Sequence, residues 1–264
     1  MPALRTLTAA STLLALSMGL TACGGNKPAE EATATNETAE ASAEVVRFAT
    51  EGAYPPMNFT DKDGNLGGFD VDVANALCEQ MKANCEIVAQ DWEGIIPGLQ
   101  AEKYDAVIAG MSITDERKQV VDFTDPYFSS GLLLIAKKGE EASFESLAGK
   151  SVGAQTATIA SQYLEEEYPD IDVKLYDTQE NVNLDLINGR LDAVLVDQVV
   201  GTDWLSSEDA ANFEQKGEAV STGKDDFGIA TRKDDELTGK LNTALADIKS
   251  NGKYDEISSK YFSK

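Results

Sequence analysis

Lys103-Tyr104-Asp105-Ala106-Val107-Ile108 returns later in the chain as Arg190-Leu191-Asp192-Ala193-Val194-Leu195. Each copy has a cation, then Asp-Ala-Val, then one more aliphatic residue, placed where a helical pattern stops and a buried strand begins. Upstream of the first copy, Val45-Val46-Arg47-Phe48-Ala49-Thr50 reads as a strand and Asp61-Lys62-Asp63-Gly64-Asn65 as a turn. Val71, Val73, Ala74, Leu77, Cys78 and Met81 recur at helical spacing. A strand over 86–90, a helix over 93–102 and a strand over 105–109 follow. The second copy sits in the same alternation: strand 151–154, helix 158–167, strand 173–176, helix 180–188, strand 192–197. Strands alternating with helices predict an α/β fold with a largely parallel sheet. Two similar lobes are the simplest account of the echo and of the alternation around it. Two tail helices, near 235–250 and 254–261, pack on one of the lobes.

The whole chain has 264 residues, 46 Asp+Glu against 22 Lys+Arg, a formal charge of −24 and no histidine. Such a field repels nucleic acid. The missing histidine removes Ser-His-Asp and Cys-His catalysis and His-ligated zinc.

Residues 1–22 carry one basic residue, Arg5, and a short apolar run through Leu13, Leu14, Leu16 and Met18, ending in Leu20-Thr21-Ala22-Cys23. The run is short for a membrane span and suits a cleaved export signal. Leu20-Thr21-Ala22-Cys23-Gly24 resembles a bacterial lipobox, which implies lipidation of Cys23 as the mature N-terminus. The alternative is an ordinary signal peptide with an incidental cysteine. Residues 24–44 contain no large apolar side chain, so residues 23–44 are expected to form a lipidated, disordered tether. Cys78 and Cys85 lie seven positions apart in an exported chain and are expected to form a disulfide, with two buried free thiols as the alternative. A loop that small stabilises by about 2 to 3 kcal/mol in the chain-entropy account.

If two α/β sheets face each other, a ligand binds beyond the carboxyl ends of the strands, in the crevice between lobes. The residues at those ends are Glu51 and Tyr54, Gly110 to Ser112, Gln155 to Ile159, and Asp197.

At these positions the chain resembles the solute-binding proteins of polar amino-acid ABC importers. The matching pieces are Thr50-Glu51-Gly52-Ala53-Tyr54-Pro55-Pro56, Gly68-Phe69-Asp70-Val71-Asp72, Trp92-Glu93-Gly94-Ile95-Ile96-Pro97-Gly98-Leu99, Gly110-Met111-Ser112-Ile113-Thr114-Asp115-Glu116-Arg117, Gly189-Arg190-Leu191-Asp192 and Asn251-Gly252-Lys253-Tyr254. They run in order through residues 45–264. Within the family, the Thr-Glu-Gly-Ala-Tyr opening, Trp92 and the Cys78/Cys85 pair look most like arginine, lysine-arginine-ornithine and opine binders.

The resemblance implies a two-lobed type II periplasmic-binding fold, with lobe I from 45–129 and 227–264, lobe II from 130–226, and two hinge segments near 128–131 and 224–227. It implies a binding protein with no catalytic residues, metal or cofactor. Its implied partners are a small amino acid and an ABC permease, and it is expected to be a monomer. It would be lipid-anchored on the periplasmic side of a membrane, or on the outer face of the plasma membrane in a Gram-positive cell.

The implied ligand set is Glu51, Tyr54, Trp92, Gly110, Met111, Ser112, Arg117, Thr158 and Asp197. Arg117 offers a charged fork for an α-carboxylate, with Thr158 and the neighbouring helix amides as a second anion site. Asp197 faces the α-ammonium, assisted by the Ser112 hydroxyl and the Gly110 carbonyl. Tyr54 and Trp92 sandwich the ligand side chain, and Glu51 reads its charge. Taken singly, these residues have plainer readings: Arg117 a solvated helix charge, Asp197 a helix cap, Tyr54 and Trp92 core or rim aromatics, Glu51 an exposed acid. Ala157-Thr158-Ile159 departs from the Gly-Thr-Thr of many relatives, as opine binders do. Counting Arg117 as +1 and Glu51 and Asp197 as −1 each, the pocket favours a cation: arginine first, then lysine or ornithine, with an opine or another polar amino acid as the alternative. A dehydratase on the same fold and a receptor-like sensor domain are the readings from other classes.

Overall fold

The computed structural model describes residues 44–262, so the export signal, Cys23 and all but the last residue of the expected tether lie outside the described residues. Glu44 begins the folded part: its carbonyl accepts from the Asn84 amide, and both its carboxylate oxygens lie 3.0 Å from Lys240 Nζ.

β1 (Val45–Thr50) buries Val46, Phe48 and Ala49. The chain then folds into a small antiparallel meander of β2 (Ala53–Tyr54), β3 (Asn58–Thr60) and β4 (Leu66–Gly67). The expected turn closes β3 onto β4, with the Asp61 carboxylate accepting from the Asp63 and Asn65 amides. Gly68 then turns the chain into α1 (Phe69–Met81) with φ of 116°; a Cβ there would sit 2.4 Å from the Met57 carbonyl oxygen, so only glycine fits. α1 ends on left-handed Lys82 and leads into β5 (Asn84–Ala89). The Cys78–Cys85 disulfide, Cα to Cα 5.7 Å, ties that helix end to that strand. α2 (Trp92–Gln100), β6 (Ala106–Val107), α3 (Asp115–Lys118), β7 (Asp122–Phe123) and β8 (Phe128–Ser129) follow.

A second layer set repeats the alternation. β9 (Leu132–Lys137) enters it, then come β10 (Ser151–Gln155), α4 (Ile159–Glu167), β11 (Asp172–Tyr176), α5 (Gln179–Ile187), β12 (Ala193–Asp197), α6 (Gln198–Leu205) and β13 (Phe213–Val220). The chain returns through β14 (Asp226–Phe227) and β15 (Ala230–Thr231) and closes with α7 (Leu237–Ser250) and α8 (Lys253–Phe262), of which α7 packs on α1 and α8 on both.

The first sheet runs β5-β1-β6-β15-β7 and the second β11-β10-β12-β9-β13. In each, four strands run the same way and one runs opposite, pairing antiparallel with both its neighbours: β15 with β6 and β7, β9 with β12 and β13. The largely parallel sheets expected from the alternation thus each carry an antiparallel flank. The cause is the double passage of the chain between sheets: β9 and β15 are laid down just after a passage and run opposite to their neighbours. β8 and β14 mark the passages and pair with each other, Phe128 opposite Phe227 and Ser129 opposite Asp226. The six-residue run Leu132 to Lys137 has no period of two, because five of its residues are buried in the middle of a sheet covered on both faces. Periodicity therefore gave it no assignment.

Candidate ligand-binding site

The two sheets present their parallel-strand carboxyl ends to each other, and the side chains there meet in one pocket. Glu51 follows β1 directly and Tyr54 lies in β2. Gly110 and Ser112 follow β6, and Thr114 caps α3 by accepting from the Arg117 amide at 3.2 Å, which sets Arg117 one turn in. Trp92 opens α2. From the second sheet, Gln155 ends β10, Thr158 caps α4 in a reciprocal box with Ser161, and Asp197 ends β12. All of these except Thr114 and Ser161 line the pocket, together with Ala109 and Ile159. Met111 is not brought there: it is fully buried in the apolar cluster that holds Ile95, Leu99 and Val107, and its carbonyl accepts from the Gly228 amide.

Four hydrogen bonds of the pocket residues cross between the halves. The Tyr54 hydroxyl donates to Asp197 Oδ2 at 2.6 Å. Gln155 Nε2 donates to Glu51 Oε1 at 2.6 Å and, within its own half, to the Asp177 carbonyl at 3.0 Å. Trp92 Nε1 donates to the Thr156 carbonyl at 3.1 Å, and Arg117 Nη2 to the Ala157 carbonyl at 2.9 Å. Arg117 Nη1 donates to the Ser112 carbonyl at 2.7 Å, and its guanidinium lies 5.2 Å over the Trp92 ring. Trp92, expected as a wall for the ligand, lies under Arg117 as a platform for its guanidinium. The Thr158 hydroxyl donates to the Gln155 carbonyl at 2.7 Å while it caps α4. Ala157 sits at φ of 54°, a left-handed conformation that costs an alanine about 1 to 2 kcal/mol.

Burial dominates the electrostatics. It pushes Asp197 up to about 7, against the Tyr54 hydrogen bond and the Arg117 charge, which favour the carboxylate. It pushes Glu51 up to about 7 as well, against the hydrogen bond from Gln155. The same burial lowers Arg117 to about 10, opposed by Asp197 and Glu116. Asp197 Oδ1 is buried without a hydrogen-bond partner. Two desolvated carboxyls around one guanidinium make a pocket that gains from an incoming cation, and the unpartnered oxygen offers an acceptor for an N–H donor.

Gln155 is a pocket residue that carried no assigned role. It lay inside the strand-end segment singled out in the sequence, but its meaning depends on Glu51 facing it from the other sheet, which local sequence does not encode.

The L-arginine-binding protein of Pseudomonas aeruginosa is 41% identical over 227 residues, 83% of this chain and 88% of that protein. ABC transporter arginine-binding protein 1 of Escherichia coli strain K12 is 38% identical over 226 residues, 84% of this chain and 92% of its own. Among solved structures, an ancestral arginine-binding protein, determined with arginine and with glutamine bound, superposes with a TM-score of 0.78 at 39% identity, covering 83% of this chain and 98% of its own. The two-sheet architecture with its facing strand ends agrees with the family match over residues 46–264, and the chain belongs to the bacterial extracellular solute-binding proteins, family 3.

Proposed function

We propose that this protein captures a cationic amino acid, arginine first, between its two lobes and delivers it to the membrane-spanning part of an ABC importer. The observation that carries this reading is the pairing of two buried carboxyls, Glu51 and Asp197, with one cation, Arg117, among the described residues that line the pocket. Arg117 and the N-terminus of α4 take the α-carboxylate, Asp197 Oδ1 takes the α-ammonium, and Glu51 takes the distal charge. Arginine-binding relatives on both sequence and structure support the choice of ligand. Closure turns about the paired β8 and β14, with lobe II spanning 130–226. The protein binds and releases its ligand without converting it, and works as a monomer.

The wild-type domain, titrated by calorimetry with arginine, lysine, ornithine, octopine, glutamine and glutamate, should prefer arginine. A preference for glutamine or glutamate over arginine would overturn the reading. The anchor is part of the same proposal, resting on Leu20-Thr21-Ala22-Cys23. Mass spectrometry of protein from its native membrane should find a lipidated Cys23 as the first residue; an unmodified mature N-terminus elsewhere removes the anchor from the proposal.

A further inference from the structure

Asp70 stands in the first turn of α1 with no solvent exposure, outside the ligand pocket. A buried carboxylate is costly unless each oxygen is hydrogen-bonded, and an apolar residue of similar size would stabilise a core as well. Here both oxygens are used. Asn58 Nδ2 donates to Oδ2 at 2.9 Å and the Tyr127 hydroxyl donates to Oδ1 at 2.7 Å. Neither contact ends there. Asn58 Oδ1 accepts from the Gly52 amide at 2.7 Å, and the Tyr127 oxygen accepts from the Gly110 amide at 3.1 Å. Asn58 and Tyr127 are themselves buried. Gly52 and Gly110 are the left-handed turns, φ of 78° and 56°, by which the chain leaves β1 and β6. Gly52 lies between Glu51 and Tyr54, and Gly110 lies two residues before Ser112.

We infer that Asp70 is a positioning residue of the ligand site: through Asn58 and Tyr127 its carboxylate holds the amides of Gly52 and Gly110, and so fixes the two strand-end loops that carry Glu51, Tyr54 and Ser112. The effect on ligand affinity rests on the binding function proposed above; the effect on the two amides does not.

The donor directions supply a specific test. In Asp70→Asn, every orientation of the two amide side chains leaves one donor without an acceptor. The exchange Asn58→Asp with Asp70→Asn restores all of the bonds: the carboxylate now at position 58 accepts from Gly52 and from the new amide at position 70, whose oxygen accepts from Tyr127. Two quantities are measured on wild type, Asp70→Asn and the double exchange: arginine affinity at pH 8, and hydrogen exchange of the Gly52 and Gly110 amides in the ligand-free protein, relative to core amides of β1. The single variant should lose about tenfold or more in affinity, because the loops that carry Glu51, Tyr54 and Ser112 are no longer held in the binding geometry, and should expose both amides to faster exchange. The double exchange should return to within about threefold of wild type. Tyr127→Phe, which removes only one arm, should speed exchange at Gly110 and spare Gly52, and it serves if Asp70→Asn does not fold.

An Asp70→Asn protein that is merely less stable, with affinity within about twofold of wild type, overturns the inference. So do glycine amides that exchange at wild-type rates, or a double exchange that fails to recover. Should the wild type bind no cationic amino acid, the proposed function fails while the ligand-free exchange still decides the role of Asp70.

Discussion

Glu51 and Asp197 are both buried carboxyls, yet they face different parts of the proposed ligand, so their substitutions separate. Asp197→Asn keeps the shape and the bond from Tyr54 but removes the charge that meets the α-ammonium common to all amino acids. Affinity should fall for every amino acid ligand alike, by about 2 to 5 kcal/mol. Glu51→Gln should weaken arginine, lysine and ornithine selectively, while any neutral amino acid that binds is largely spared. Calorimetry on the same ligand panel distinguishes them; a uniform loss from Glu51→Gln would remove it as the reader of the side chain. At this scale the strand-end rule and residue chemistry located Glu51, Tyr54, Asp197 and the Gly110 to Ser112 turn in the sequence. The strand-end segment also contained Gln155, but its pairing with Glu51, like the stacking of Arg117 on Trp92, was not legible, because each depends on a neighbour that only the folded crevice supplies.

Among the elements, α2 has a second task beyond its packed face. Its first residue, Trp92, reaches across to the Thr156 carbonyl just past β10, a contact that needs the indole N–H and not merely an aromatic ring. Trp92→Phe keeps an aromatic face for Arg117 and for a ligand but loses this link. Since the bond forms between lobe backbone and lobe side chain, its loss should weaken all ligands by a similar factor, about three- to tenfold, through faster dissociation. Stopped-flow release kinetics would show it; a loss confined to cationic ligands would make Trp92 a specificity wall alone. The element pattern itself was largely readable: the helices over 71–81, 93–102, 158–167 and 180–188 follow the apolar period. Among what escaped were β9, continuously apolar, β13, whose Phe213-Glu214-Gln215-Lys216-Gly217-Glu218-Ala219-Val220 carries too few apolar residues to declare a strand, helix α6, and the short strands and single-turn helix around the crossings.

Over the whole molecule, Glu51, Asp197 and Asp70 each titrate near 7 in the folded chain, with burial as the leading cause, against ordinary carboxyl values near 4. Between about pH 4.5 and 7 the folded state therefore holds more protons than the unfolded one, and stability rises as the pH falls through that window. Asp105, Asp122 and Asp185, whose values lie below the ordinary range, contribute stability that is lost only at more acidic pH. Binding has the opposite sign. A cationic ligand needs Glu51 and Asp197 ionised, so affinity should fall by about tenfold per pH unit for each of them as the pH drops below 7. Between pH 7.5 and 5.5 the melting temperature of the ligand-free protein should rise while arginine affinity declines, with protons released on binding. An affinity that stays level across the window would mean that these carboxyls are already ionised in the free protein.

The antiparallel strand β15 also has a consequence for how the chain is made. The second sheet draws all its strands from one unbroken stretch, β9 to β13, whereas the first needs Ala230–Thr231 to bridge β6 and β7. As the polypeptide emerges from its N-terminus, the later-encoded sheet has its full set of strands first, and the earlier-encoded one waits as β5-β1-β6 with an open edge on β6. A chain that ended just after β14 would hold every strand of the second sheet and still lack the fourth strand of the first, so the crevice between them can take shape only once the last few dozen residues have been added.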